Sequence, residues 1–122
     1  MIQSTIQSAR KIVIKIGSNT LAKEDGTINL DFMKDFARQC SDLMQSGKQI
    51  VLVSSGAQVA GVSTLDRWSR KKDIHYRQAL CAIGQVELMD RWRQAFADFN
   101  LHIGQLLLTK EDFADDHRTL NM

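Results

Sequence analysis

Apolar and polar positions change period several times along the chain, and each change marks an element. From Lys11 the run KIVIKIG is β-branched and apolar, which predicts a strand. Leu30 to Gln45 then places Leu30, Phe32, Met33, Phe36, Ala37, Cys40, Leu43 and Met44 at helical spacing, the mark of an amphipathic helix. SGK breaks that pattern, QIVLVSSGA supplies a second β-branched run ending in glycine, and AQVAGVSTL returns to helical composition. A helical crossover between two strands makes them parallel neighbours in a sheet covered by helices. A long helical pattern from about Tyr76 to Phe99 carries Leu80, Ile83, Val86, Leu88, Met89, Trp92 and Phe96 and is punctuated by Gly84. LHIGQLLLT predicts a third strand, and KEDFADDHRTLNM follows as a capped short helix after Thr109.

These elements predict an α/β fold, a small doubly wound and mainly parallel sheet with helices between its strands. No repeat, low-complexity tract, linker or proline interrupts the chain, so residues 1–122 read as one domain. Three parallel strands leave one edge open and one face thinly covered, so the sheet reads as unfinished.

Composition narrows the class without deciding the function. With 43% hydrophobic and 25% charged residues, the 122-residue chain falls among soluble globular proteins. A net charge of +2 is too slight to argue for nucleic acid or an anionic membrane, and the local basic cluster Arg67, Arg70, Lys71 and Lys72 reads as a solvated loop or helix end. Cys40 and Cys81 stand far apart in apolar segments and read as reduced core residues. The longest apolar runs are strand-sized and the start lacks a signal-peptide stretch, so the expected compartment is the cytoplasm.

Ligands of an open parallel sheet sit beyond the carboxyl ends of its strands. Three places follow: Gly17-Ser18-Asn19, Ser54-Ser55-Gly56-Ala57 and Thr109-Lys110. The first two share a small hydroxyl or glycine turn leading toward a helix, which offers backbone N–H groups to a carboxylate or phosphate. Lys15 lies on the last stretch of the first strand. It could reach across the strand end to hold phosphate oxygens as a point charge, or simply point to solvent from an edge strand. Neither turn matches a Walker A or dinucleotide fingerprint, and Ser55 with Gly56 could equally be an ordinary helix cap. His75, His102 and His117 suggest no catalytic triad. The spacing of Glu111, Asp112, Asp115 and Asp116 fits no calcium loop and reads as a solvated helix start.

Taken in order, KIVIKIGSNTL, IVLVSSGAQVAG, AIGQVELMDRW, IGQLLLTKEDF and RTLNM resemble the glutamate 5-kinases of the amino acid kinase family, from near the first residue to the last. The K-x-G-[ST] strand end and the [ST]-S-G-A turn are shared loosely with relatives acting on other acids, whereas GQLLLT closely followed by RTLN resembles the glutamate 5-kinase branch. The resemblance implies a three-layer αβα sandwich whose amino-terminal portion binds the amino acid and whose carboxyl-terminal portion binds ATP with Mg2+. By that resemblance, Lys15 is the lysine bridging the phosphates of the two substrates. Gly17 and Ser18 form the turn against the ATP phosphates, Ser55, Gly56 and Ala57 hold glutamate, and Asn121 belongs to the active-site rim. Gln58 and Met122 depart from the family pattern, which more often has an aliphatic residue after S-G-A and a small one after the asparagine.

The implied reaction is ATP plus L-glutamate giving ADP plus glutamyl 5-phosphate, toward proline. The ATP-binding portion lies beyond residue 122, so the isolated chain is expected to bind weakly and turn over little. Proline as a feedback inhibitor is a further expectation of the resemblance. The open sheet edge and the aromatic helix around Trp92 suggest a homo-oligomer. Two other readings stand beside this one: a family member acting on acetylglutamate, aspartate, carbamate or a nucleotide monophosphate, and a non-catalytic truncated binding module.

Overall fold

The computed structural model describes residues 1–65 and 73–121, so the basic cluster from Arg67 to Lys72 and the departure at Met122 lie outside the described residues. Helix α1 (Ile2–Ser8) precedes strand β1 (Lys11–Ile16), which runs through Gly17 into the short α2 (Ser18–Leu21). Helix α3 (Leu30–Gln45) leads to strand β2 (Gln49–Ser54), followed by α4 (Ala57–Leu65), α5 (Ile74–Ala97), α6 (Lys110–Ala114) and α7 (Asp116–Leu120). The crossover through α3 makes β1 and β2 parallel, as expected, in a register that pairs Lys11 with Gln49 and Ile16 with Ser54.

Side chains alternate between the two faces of the pair. Ile14 and Ile16 of β1, with Ile50 and Leu52 of β2, pack into a core shared with Leu21, Met33, Ala37, Cys40, Leu88, Trp92 and Phe96. Lys11, Val13 and Lys15, with Gln49, Val51 and Val53, stand on the opposite face and are exposed, Val13 to 66% and Val53 to 48%. Of the three layers expected, the described residues therefore build the sheet and one layer of helices.

Helix α3 starts where Asn29 accepts a hydrogen bond from the Phe32 N–H at 3.1 Å, and it buries Met33, Ala37 and Cys40 at helical spacing. Its Phe36 ring meets Trp92 of α5 edge-on, with centroids 5.7 Å apart, and Trp92 in turn meets Phe96 at 5.9 Å. Such aromatic pairs add about 0.5–1.5 kcal/mol beyond the area they bury. Cys40 is buried, and burial pushes its thiol pKa up. Cys81 is half-buried, and both cysteines are free.

The tightest packing lies between α4 and α5, where backbone meets backbone. A methyl group on Gly84 would overlap the Ala57 carbonyl and the Gly61 nitrogen, and one on Gly61 would overlap the Leu80 carbonyl. Two glycines on facing helices thus permit an approach that no other residue allows. Helix α5 ends in a Schellman motif: Asn100 takes a left-handed φ of 57°, its N–H reaches the Ala97 carbonyl, and the Leu101 N–H reaches the Phe96 carbonyl at 3.1 Å.

The predicted third strand is a correction. Residues 101–109 form no ladder, and the described residues contain a two-stranded sheet of order β1-β2. Leu106, Leu107 and Leu108 are exposed at 61%, 82% and 45%. Apolar composition reports what a segment could bury, whereas a strand exists only when an edge accepts its hydrogen bonds, and no edge among the described residues does. The sequence pattern also gave no sign of α1. Its last carbonyls are gathered by Lys48, whose Nζ donates to Ile6, Gln7 and Ala9 at 3.2, 2.9 and 2.6 Å.

Replacing Gly84 by Ala sets two effects against each other. Alanine is the better helix former by about 1 kcal/mol, but main-chain overlap at a closed helix crossing costs about 3 kcal/mol or more. Gly84→Ala is therefore expected to lower the urea midpoint sharply. Gly104→Ala, where a methyl would meet nothing within 4 Å, is expected to leave it nearly unchanged. Equal midpoints for the two variants would show that the α4–α5 crossing is looser than described.

Candidate functional site

Parallel strands end on the same side, so the segments leaving β1 and β2 emerge together. The Ser55 N–H donates to the Ile16 carbonyl at 2.9 Å and extends the ladder one step past the strands. That bond sets Gly17-Ser18-Asn19 alongside Ser55-Gly56-Ala57. Gly56 has φ 115°, a conformation that favours glycine, and a methyl there would lie 2.8 Å from Leu21 Cδ1. Leu21, wholly buried at the end of α2, thus packs under the second turn and locks the two together.

Gly17 serves differently. Its backbone is ordinary, φ −83° and ψ 164°, and a methyl there would meet nothing within 4 Å. Space, not strain, is what the absent side chain provides. Around it stand groups with nothing to bind: the Lys15 ammonium and the hydroxyls of Ser18 and Ser55 make no hydrogen bond or ion pair among the described residues, and all three residues are exposed. The Gly56 N–H also has no partner among the described residues, although Gly56 is buried. A cation, two hydroxyls and an amide without a partner among the described residues can all donate at one sheet end, which suits an anion such as a carboxylate or phosphate.

Lys15, Gly17, Ser18, Ser55, Gly56 and Ala57 are thus brought to one sheet end. Asn121 is not joined to them: as the residue that caps α7 at its carboxyl end, it donates its N–H to the His117 and Arg118 carbonyls, and its Nδ2 lies 3.4 Å from His117 Nε2. Thr109 is likewise occupied by its own helix, in a capping box where Asp112 accepts from the Thr109 N–H and Oγ1 at 2.5 and 3.0 Å. Those bonds from Thr109, helped by Arg118, hold the Asp112 carboxyl below the usual carboxylate range. Asp115 caps α7 by accepting from the Arg118 N–H at 2.9 Å. The acidic segment starts two short helices where the sequence suggested one.

A link between two residues named from the sequence, Trp92 in the long helix and Ser54 at the second strand end, was not evident there. Trp92 Nε1–H donates to Ser54 Oγ at 3.0 Å, and Ser54 Oγ–H donates to the Ser55 carbonyl at 2.8 Å. Trp92 is 1% exposed, which removes it as a surface aromatic for self-association. The signal available in the sequence was spacing: Leu80, Gly84, Leu88 and Trp92 recur every four residues and so share one helix face.

Residues 10–122 match the amino acid kinase family. The chain belongs to the amino acid kinase family. Over all its 122 residues it is 57% identical to a glutamate 5-kinase of Alkaliphilus metalliredigens, of which it covers 46%. It is 54% identical to a glutamate 5-kinase of Alkaliphilus oremlandii, again over the whole chain and 46% of the relative. A third, from Treponema pallidum, is 50% identical over 97% of the chain and 46% of its own length. The chain thus spans just under half the length of these curated relatives.

The two turn glycines of this family member predict opposite outcomes. Gly17→Ala meets open space at an ordinary φ, so its stability is expected within about 1 kcal/mol of the parent. Gly56→Ala, with positive φ and Leu21 in the way, is expected to cost about 1–3 kcal/mol. Thermal melts of the two variants check this, and a Gly56 variant as stable as the Gly17 variant would contradict it. The Asp112 cap makes a separate prediction. A depressed folded pKa means the cap contributes fully above the ordinary carboxylate value of about 3.9 and is lost as pH falls through the lower folded value. The Thr109 amide resonance is expected to titrate with a midpoint below about 3.9, and a midpoint at or above it would mean that the cap does not form.

Proposed function

We propose that this chain is the glutamate-binding portion of a kinase that transfers the γ-phosphoryl group of ATP to the side-chain carboxylate of L-glutamate, giving glutamyl 5-phosphate and ADP, the first step of proline biosynthesis. The observation that carries the reading is the side-by-side placement of two donor-lined turns at one sheet end, in a chain at least half identical to three glutamate 5-kinases. In this reading Ser55, Gly56 and Ala57 hold the glutamate carboxylate, Gly17 and Ser18 lie against the ATP phosphates, and Asn121 belongs to the rim. Lys15 is the catalytic cation, spanning acceptor and donor oxygens.

Phosphoryl transfer asks little covalent chemistry of a protein; it asks for in-line placement and for positive charge where negative charge spreads over the transferred oxygens. The Lys15 ammonium, unpaired among the described residues, supplies such a charge, and the glycine at 17 lets phosphate oxygens approach the backbone without a side chain between them. Mg2+ would arrive on the phosphate oxygens of ATP. Among the described residues no group of three His, Cys, Asp or Glu side chains is placed to hold a cation, so no step is assigned to the metal here. The chain as a whole is read as one unit, the amino-terminal portion of the amino acid kinase fold. Proline is the proposed feedback inhibitor. A homo-oligomer is the proposed assembly on the ground that both strands of the described sheet are edges. The proposed compartment is the cytoplasm, and no helix among the described residues is long and apolar enough to cross a membrane.

Because a ligand that binds only the folded state raises its melting temperature, L-glutamate is expected to stabilise the chain while N-acetylglutamate, aspartate and carbamate do not. Preference for one of the other acids would reassign the substrate within the family. Joined to the carboxyl-terminal part of the Alkaliphilus metalliredigens relative, the chain is expected to release ADP only when glutamate is present, within the usual kinase range of about 1–100 s⁻¹. Lys15→Met in that protein is expected to lower kcat by about 10²–10³-fold, the usual loss when one preorganised electrostatic donor is removed. An unchanged kcat would remove Lys15 from the chemistry.

A further inference from the structure

The buried stripe of α5 touches the chain from the end of β2 into α4 at four successive steps. The Leu80 carbonyl closes on Gly61, and Gly84 closes on the Ala57 carbonyl. Leu88 Cδ1 lies 3.7 Å from where a Gly56 methyl would sit, and Trp92 Nε1–H donates to Ser54 Oγ at 3.0 Å. The first three contacts are steric and set distances. The fourth is directional, and it is the one that can set an orientation.

That orientation passes along two bonds. Ser54 Oγ, held by Trp92, donates to the Ser55 carbonyl at 2.8 Å, while the Ser55 N–H is fixed on the Ile16 carbonyl at 2.9 Å. No peptide bond is cis, so the Gly56 N–H points opposite to the Ser55 carbonyl of the same peptide plane. Anchoring that carbonyl on Ser54 therefore turns the Gly56 N–H away from Ser54. It is a buried donor with no partner among the described residues, in a class of group that folded proteins rarely leave unpaired.

We infer that Trp92 is a positioning residue of the glutamate turn, acting through Ser54 and the Ser55 carbonyl to aim the Gly56 N–H at the substrate carboxylate. The assignment of the ligand rests on the function proposed above; the orientation of the amide does not. Trp92 touches no reacting group. Its indole ring fills the core between Phe36 and Phe96, and its N–H adds a task that a phenyl ring in the same place cannot perform.

The test uses the full chain labelled with ¹⁵N, with Trp92→Phe, Ser54→Ala and the double variant. Residual dipolar couplings read the direction of the Gly56 N–H, and titration with L-glutamate reads the affinity. Trp92→Phe is expected to change the Gly56 coupling while the couplings within α3 stay at their parent values, and to weaken glutamate by about three- to tenfold, the span of one net hydrogen bond. Ser54→Ala is expected to do the same, and the double variant to do no more than either single one, because all three break one relay. An unchanged Gly56 coupling in Trp92→Phe overturns the positioning role, as does a double variant whose losses add. If the parent Gly56 resonance does not respond to glutamate, the ligand assignment fails, and the coupling alone still decides the positioning role. Should Trp92→Phe not fold, Ser54→Ala leaves the core ring in place and gives the same readout.

Discussion

Helices α4 and α5 touch through their backbones, and the rest of the site inherits its position from that contact. Ordinary helix pairs stand 8–10 Å apart because side chains separate them. Here Gly61 and Gly84 remove the spacers, so the Ala57 carbonyl and the Leu80 carbonyl each face a glycine of the other helix. Ala57 is the first residue of α4 and the last of the second turn, so fixing it against Gly84 fixes the turn. A helix held by interdigitated leucines could slide by fractions of an ångström as rotamers change. One held by main-chain contact has no such freedom, and interiors this close-packed transmit the constraint.

Rigidity from α4 and α5 would be of little use if the other turn were free to drift. Leu21 removes that freedom. It is wholly buried, it ends the short helix that begins just after Gly17, and its Cδ1 occupies the space that any side chain at position 56 would need. The Ser55–Ile16 hydrogen bond ties the same two segments from the strand side. Each turn is therefore held twice, by a ladder bond above and by an apolar contact below. Two anionic groups placed there, one per turn, would have little choice of separation, and separation is what in-line transfer depends on.

The residues that build this arrangement were unequally legible in the sequence. α3 and α4 have the bounds that periodicity predicts, and both strands were evident from β-branched runs, because local patterns report local structure faithfully when one face is buried. That Lys15, Gly17, Ser55 and Gly56 lie at one sheet end was legible from topology, because parallel strands end on the same side. The relay through Trp92 and Ser54 was not found, because the two are 38 positions apart and no local pattern links them. Residues 101–109 failed for the complementary reason. Their composition is that of a strand, but pairing is a property of two segments, and the partner is not written in either one. Asn121 lies apart from the strand ends: family resemblance places it at the rim, and its bonds in the described fold are made at the carboxyl end of α7.

Alternation in β1 explains why Lys15 stands exposed on the face that the described helices leave uncovered. Ile14 and Ile16 must face the helices, so Lys15 between them must face the other way, and a slip of one residue would bury the ammonium and expose both isoleucines. The same face carries Val13, Val51 and Val53, which are apolar and exposed. Any layer laid over those valines would cover the lysine stem too, leaving the ammonium one route to water or ligand: forward, past Ile16, to the strand end where the Gly17 turn begins. Long cationic side chains behave in this way at apolar surfaces, burying their methylenes and extending the charged head to the nearest polar boundary. Covering the valines would thus direct Lys15 toward the site rather than displace it, with no new contact to its charge required.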